Sequence, residues 1–172
     1  LSGKTISDPG LARMIQEELE ASGADPSRLV LEITETAAIG DLEQARRFIT
    51  AMRRLGCRFA LDDVGSGFSS LHLLKQLPVD YLKIDGAFIR NLPTESADQH
   101  LVRAMVAMAR SQGQETIAEF VDRAETLRLV REFGVDYAQG YLVGRPGVEW
   151  LRPGSARPGF AAAPGGAGSG SG

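Results

Sequence analysis

Phe59-Ala60-Leu61-Asp62-Asp63-Val64-Gly65-Ser66-Gly67-Phe68-Ser69-Ser70-Leu71 is the stretch on which the fold is decided. It opens as an apolar run of the length of a buried strand, breaks at two adjacent acids, passes two glycines and enters a helical pattern. Gly65 and Gly67 allow backbone conformations closed to other residues, and Ser69 is placed to cap the following helix. Taken alone, such a segment is a strand-to-helix turn. The acid pair at the end of the strand is the part that packing does not require.

The pattern recurs along the chain. Residues 29–34, 59–62, 81–84, 116–120 and 137–142 are short, apolar and rich in β-branched or aromatic side chains, which predicts five strands. Between them lie helical spacings. Leu11, Met14, Ile15 and Leu19 follow the start signal Ser7-Asp8-Pro9; Leu42, Ala45, Phe48, Ile49 and Met52 follow Asp41. Leu101, Val102, Met105, Val106 and Ala109 mark a third helix, and Leu127, Val130 and Phe133 a fourth, ended by Gly134. Strands alternating with helices predict an α/β fold of parallel βα units with right-handed crossovers.

Each predicted strand contains or ends in a polar group: Glu32, Asp62 with Asp63, Lys83 with Asp85, Glu119, and Gln139. In parallel α/β folds the carboxyl ends of the strands converge on one face, where ligands bind, so these groups are expected at one rim. Clustered carboxylates repel unless a cation neutralises them, and oxygen ligands suit Mg²⁺ or Mn²⁺ better than zinc. Such a site would activate water for attack on phosphorus, with Lys83 stabilising charge on the phosphate or steering the water. Two other readings stay open at this level. Each charge could have its own local partner, or Lys83 could be a Schiff-base nucleophile, which requires a neutral amine.

Composition limits the partners. A net charge of -3 gives no basic surface for duplex DNA or an anionic membrane, although a few local cations suffice for a small anion. Hydrophobic residues at 43% and charged residues at 24% match an ordinary soluble domain, and no apolar run approaches a membrane span. Cys57, the only cysteine, reads as a buried thiol in a reducing, cytoplasmic setting. Residues 152–172 are rich in Gly, Ala, Pro and Ser and are expected to be a disordered tail, leaving residues 1–151 as the domain.

Five segments carry a resemblance: 31–36 (LEITET), 61–71 (LDDVGSGFSSL), 77–89 (LPVDYLKIDGAFI), 117–122 (IAEFVD) and 139–146 (QGYLVGRP). In order and spacing they resemble the second half of EAL-family cyclic di-GMP phosphodiesterases. The resemblance implies a (β/α)8 barrel hydrolysing cyclic di-GMP to linear pGpG with Mg²⁺ or Mn²⁺. A complete barrel needs about 250 residues, so this chain is expected to hold about five of the eight strands. By the same resemblance Glu32, Asp62, Asp63 and Glu119 are metal ligands, Asp63 also serving the attacking water. Lys83 is the catalytic lysine, and Gln139 lies near the metal-bound water. Glu35 anchors a substrate loop formed by Val64, Gly65, Ser66, Gly67, Phe68 and Ser69, a loop that in the family is linked to dimer contacts.

Two further ligands, the glutamate of Glu-Ala-Leu and the asparagine of Asn-Leu-Ser, are expected ahead of Leu1, which would leave the metal site incomplete and activity impaired. The alternative implied function is an inactive domain that binds cyclic di-GMP or a partner as a receptor. A homodimer and upstream sensory or GGDEF domains are the partners the resemblance suggests. Within the matched region Phe120 stands where the family has glycine, Asp122 where it has glutamate, and Val64, Ser66 and Phe68 where it has Phe, Thr and Tyr.

Overall fold

The structure, a computed structural model, describes residues 1–65 and 75–145. The predicted tail and residues 66–74 lie outside the described residues. Five strands, β1 Val30–Thr34, β2 Arg58–Val64, β3 Tyr81–Ile84, β4 Glu115–Ala118 and β5 Tyr137–Ala138, form one sheet in sequence order with every neighbouring pair parallel. An unreversed parallel order is that of a (β/α)8 barrel; a doubly wound sheet would reverse its order at a switch point. Seven α-helices are described: α1 Gly3–Ile6, α2 Leu11–Ser22, α3 Glu35–Gly40, α4 Leu42–Arg54, α5 Gly86–Asn91, α6 Ser96–Ser111 and α7 Ala124–Glu132.

The long crossovers form where the sequence spacing places them. In α4 the apolar stripe Ala45, Phe48, Ile49 and Met52 is buried, Asp41 accepts a hydrogen bond from the Gln44 amide at 2.9 Å, and Arg53 and Arg54 close the last turn. In α6 the stripe is Val102, Met105, Val106 and Ala109. Both helices cover the sheet face that carries Phe59, Leu61, Leu82 and Ile84, all fully buried. Phe48 meets Phe59 edge to face, centroids 6.0 Å apart.

Strand register fixes what the opposite face carries. Glu32 pairs with Ala60, Ala60 with Tyr81 and Tyr81 with Glu115; Lys83 pairs with Ile117, and Ile117 with Tyr137. Since side chains alternate faces with period two, Glu32, Asp62 and Lys83 fall on this inner row, and Glu119 and Gln139 directly follow β4 and β5 at its carboxyl end. The amino ends of the strands are tied by a repeated device. Asp80, just before β3, accepts the Phe59 amide at 2.8 Å, and Asp136, just before β5, accepts the Thr116 amide at 2.7 Å and its hydroxyl at 2.8 Å.

Several predicted boundaries are corrected. The run 116–120 leaves the strand after Ala118, and 137–142 is strand for only two residues. The reason is a close approach: Gly140 lies so near the Val121 backbone that a Cβ would overlap it. There the chain turns, with Val121 N donating to Gln139 O at 2.9 Å and Leu142 N to Val121 O at 3.3 Å. Helix α2 starts later than the Ser7-Asp8-Pro9 signal, because Asp8 accepts the Gly10 amide in a turn and does not cap the helix. The short helices α1, α3 and α5 have too few turns to show a periodicity in the sequence.

Candidate active site

At the carboxyl rim, β2 does what a regular strand cannot. Consecutive residues of a strand point to opposite faces, yet Asp62 and Asp63 serve the same site. The sheet register shifts between Leu61 and Val64, and Asp63 sits in the left-handed region at φ 60°. This bulge turns the second acid back to the rim. Oxygens of Asp62, Asp63 and Glu119 lie within 4.8 Å of one another. Glu119 comes from just beyond β4, its amide donating to Ile84 O of β3 at 3.3 Å.

Lys83 rises from the middle of the sheet with a side chain only 6% exposed. Its Nζ lies 2.8 Å from Asp62 Oδ1, 2.9 Å from Glu119 Oε1 and 3.1 Å from Glu32 Oε2. Burial alone would favour the neutral amine; the three carboxylates outweigh it and raise the Lys83 pKa well above its ordinary value. The neutral amine required of a Schiff-base nucleophile is therefore not what this environment favours. The reading that assigns every charge its own partner also fails here, because three acids share this lysine. Asp62 Oδ1 is buried and has the Lys83 ammonium as its close partner. Burial pushes the Asp63 carboxyl up, helped by the charges of Asp62 and Asp85; burial likewise raises Glu119, against the pull of Lys83.

Glu32 joins the site through Lys83 and stands outside the close group of three acids. Gln139 and Glu119 line one cleft of about 690 Å³. Glu35, in the first turn of α3, is 2% exposed. Asp85 proves to be the N-cap of α5, accepting the Ala87 amide at 2.8 Å. Asp122 accepts the Tyr141 amide at 2.8 Å and so fastens the cleft's outer turn. Of the loop expected to hold substrate, Val64 and Gly65 are described, Gly65 at φ 103°, while Ser66, Gly67, Phe68 and Ser69 lie outside the described residues. Sequence reasoning passed over Arg90, whose guanidinium lies 3.8 Å from the Phe120 ring centroid; only its place one turn after Gly86 on α5 signals it.

Residues 1–146 match the EAL domain family. The chain belongs to the EAL domain family. Over 146 residues, 85% of this chain, it is 40% identical to the cyclic di-GMP phosphodiesterase PdeB of Shewanella oneidensis, of which the match spans 17%. The structure of the PaMucR phosphodiesterase in complex with c-di-GMP superposes with a TM-score of 0.80 at 34% identity, covering 85% of this chain and 59% of that one. A Klebsiella pneumoniae protein in complex with manganese and cyclic di-GMP superposes at 0.77 with 30% identity, covering 83% and 36%. The fold of this EAL domain is thus that of a (β/α)8 barrel, of which five consecutive strands are described. Among its described residues no helix is long and apolar enough to cross a membrane.

Proposed function

We propose that this EAL domain chain carries the acid and lysine machinery of a cyclic di-GMP phosphodiesterase, which opens the cyclic dinucleotide to linear pGpG. The observation that carries the reading is the rim itself: Asp62, Asp63 and Glu119 gather within 4.8 Å beside a buried, protonated Lys83. Three carboxylates whose oxygens lie within 4.8 Å of one another fit a hard divalent cation such as Mg²⁺ or Mn²⁺. Asp62, Asp63 and Glu119 would hold it, with Glu32 adjoining. When bound, a divalent ion supplies polarisation of a phosphoryl oxygen and a template for in-line displacement.

The chain's own residues account for the rest. Lys83, held charged by its carboxylates, offers its ammonium to the phosphate oxygens on which negative charge grows. Gln139, an uncharged amide that lines the cleft with Glu119, would hydrogen-bond and orient a water there. Asp63, grouped with Asp62 and Glu119 at the rim, is placed to accept a proton from that water. The water oxygen bonds to phosphorus as a ribose oxygen leaves and takes up a proton. Glu35, buried in the first turn of α3, would by the family resemblance position the segment from Val64 to Ser69.

One observation favours a second reading, a receptor that binds the nucleotide without turnover. Lys83 already contacts three of the acids and competes with a cation for them. Incubation of the purified protein with cyclic di-GMP and Mn²⁺, followed by anion-exchange chromatography, separates the two. Appearance of pGpG that is lost in Glu119→Ala supports the phosphodiesterase; saturable binding with the dinucleotide recovered intact supports the receptor.

A further inference from the structure

Phe120 is held in a conformation that its own chemistry opposes. Its φ is 52°, in the left-handed region that bulky side chains rarely enter, and a residue kept there costs about 1–3 kcal/mol. A core residue could offset such a cost by burial, but Phe120 is 46% exposed. Its ring lies along α5, against Gly86, where a Cβ would overlap the ring, and under the Arg90 guanidinium at 3.8 Å. Gly86 and Arg90 are one helical turn apart, so the ring rests against α5 at Gly86 with the Arg90 cation close over it. The residue directly before it, Glu119, belongs to the carboxylate group, and both line the 690 Å³ cleft. A second pair faces the same cleft: Tyr141, 63% exposed, with the Arg145 guanidinium 5.2 Å from its ring.

Two exposed aromatic rings, each attended by an arginine, beside an acid that serves phosphate chemistry, match one chemical class. A nucleobase offers a π-face to such rings and to guanidinium planes, while its attached phosphate reaches toward the cations. We infer that the Phe120–Arg90 stack is a platform for a purine base of the bound dinucleotide and sets nucleotide affinity, leaving metal binding to the neighbouring acids. The inference rests on the reading of the ligand as cyclic di-GMP. It makes Phe120 a specificity residue of this chain, placed by the left-handed backbone directly after a rim acid.

The test is calorimetric binding of cyclic di-GMP in EDTA, so that affinity is read without turnover, by the wild type, Phe120→Ala, Phe120→Trp and Arg90→Met, with Mn²⁺ affinity of each measured separately. Loss of one base stack corresponds to a weakening of roughly five- to a hundredfold. Phe120→Ala and Arg90→Met should weaken nucleotide binding, Phe120→Ala by about tenfold, while Phe120→Trp stays within about twofold of wild type and Mn²⁺ affinity is unchanged in all three. Nucleotide affinity unchanged in Phe120→Ala overturns the platform and leaves the ligand standing. Parallel loss of nucleotide and Mn²⁺ affinity makes Phe120 a structural residue and also overturns it. A wild type that binds no cyclic di-GMP removes the ligand reading and the platform together.

Discussion

Replacing Lys83 with methionine keeps the length of the side chain and removes the charge that Asp62, Glu119 and Glu32 share. At an effective dielectric of about 20, each ion contact near 3 Å is worth roughly 5–6 kcal/mol before desolvation. Most of that is cancelled by taking the ammonium out of water and by the mutual repulsion of the acids. Asp62 and Glu119, with side chains 19% and 13% exposed, retain most of the remainder; Glu32, at 47%, is screened by solvent and contributes least. Removing one partner from a buried ionic group typically costs about 3–5 kcal/mol. Urea unfolding of metal-free Lys83→Met at neutral pH should therefore show a loss of that size. The loss should shrink as the pH falls, because the stranded carboxylates then bind protons, and it should shrink on adding Mn²⁺, which replaces the missing charge. A loss below about 1 kcal/mol in EDTA at neutral pH would refute the claim that this lysine neutralises the rim.

Glu119, raised chiefly by burial, binds more protons folded than unfolded between its ordinary and its folded pKa, so its contribution to stability is lost as pH rises through the folded value. Metal-free Glu119→Gln should match the wild type below about pH 4.5 and become relatively more stable above the folded pKa, as read from urea midpoints across pH. Asp136→Ala strips the acceptor from the Thr116 amide and hydroxyl and should cost about 1–3 kcal/mol in the same assay, without altering Mn²⁺ affinity. The Cys57 thiol, 3% exposed and pushed up in pKa by burial, should resist a disulfide reagent at neutral pH until denaturant is added; prompt labelling of the folded protein would contradict its placement in the core.

The sheet and most of the rim were legible because both follow from periodicities. Glu32, Asp62, Lys83, Glu119 and Gln139 each interrupt an apolar strand run; period-two alternation with parallel register puts Glu32, Asp62 and Lys83 on one face, and Glu119 and Gln139 directly follow β4 and β5 at its carboxyl end. The helices α4 and α6 declare themselves by stripes that recur over three or more turns. What escaped depends on backbone details that spacing does not encode. Asp63 was expected at the rim, but the left-handed bulge that turns it there is a conformation that an aspartate tolerates without requiring it. β5 stops after two residues because Gly140 meets the Val121 backbone, a tertiary contact between segments about twenty residues apart. Asp85 and Lys83, neighbours in sequence, part in function because one caps α5 while the other points into the sheet's inner row. A signal was nonetheless available in the repeated Val-Asp-Tyr of residues 79–81 and 135–137, whose aspartates brace adjacent strands and whose tyrosine rings meet at 6.1 Å.

The central claim is that Asp62, Asp63 and Glu119 form a divalent-cation site beside Lys83, and titration of Mn²⁺ followed by electron paramagnetic resonance tests it most directly. Saturable Mn²⁺ binding by the wild type, weakened at least tenfold in Asp63→Asn and in Glu119→Gln but unchanged in Asp136→Ala, is the predicted result. Absence of saturable binding, or equal affinity in all four proteins, would contradict it.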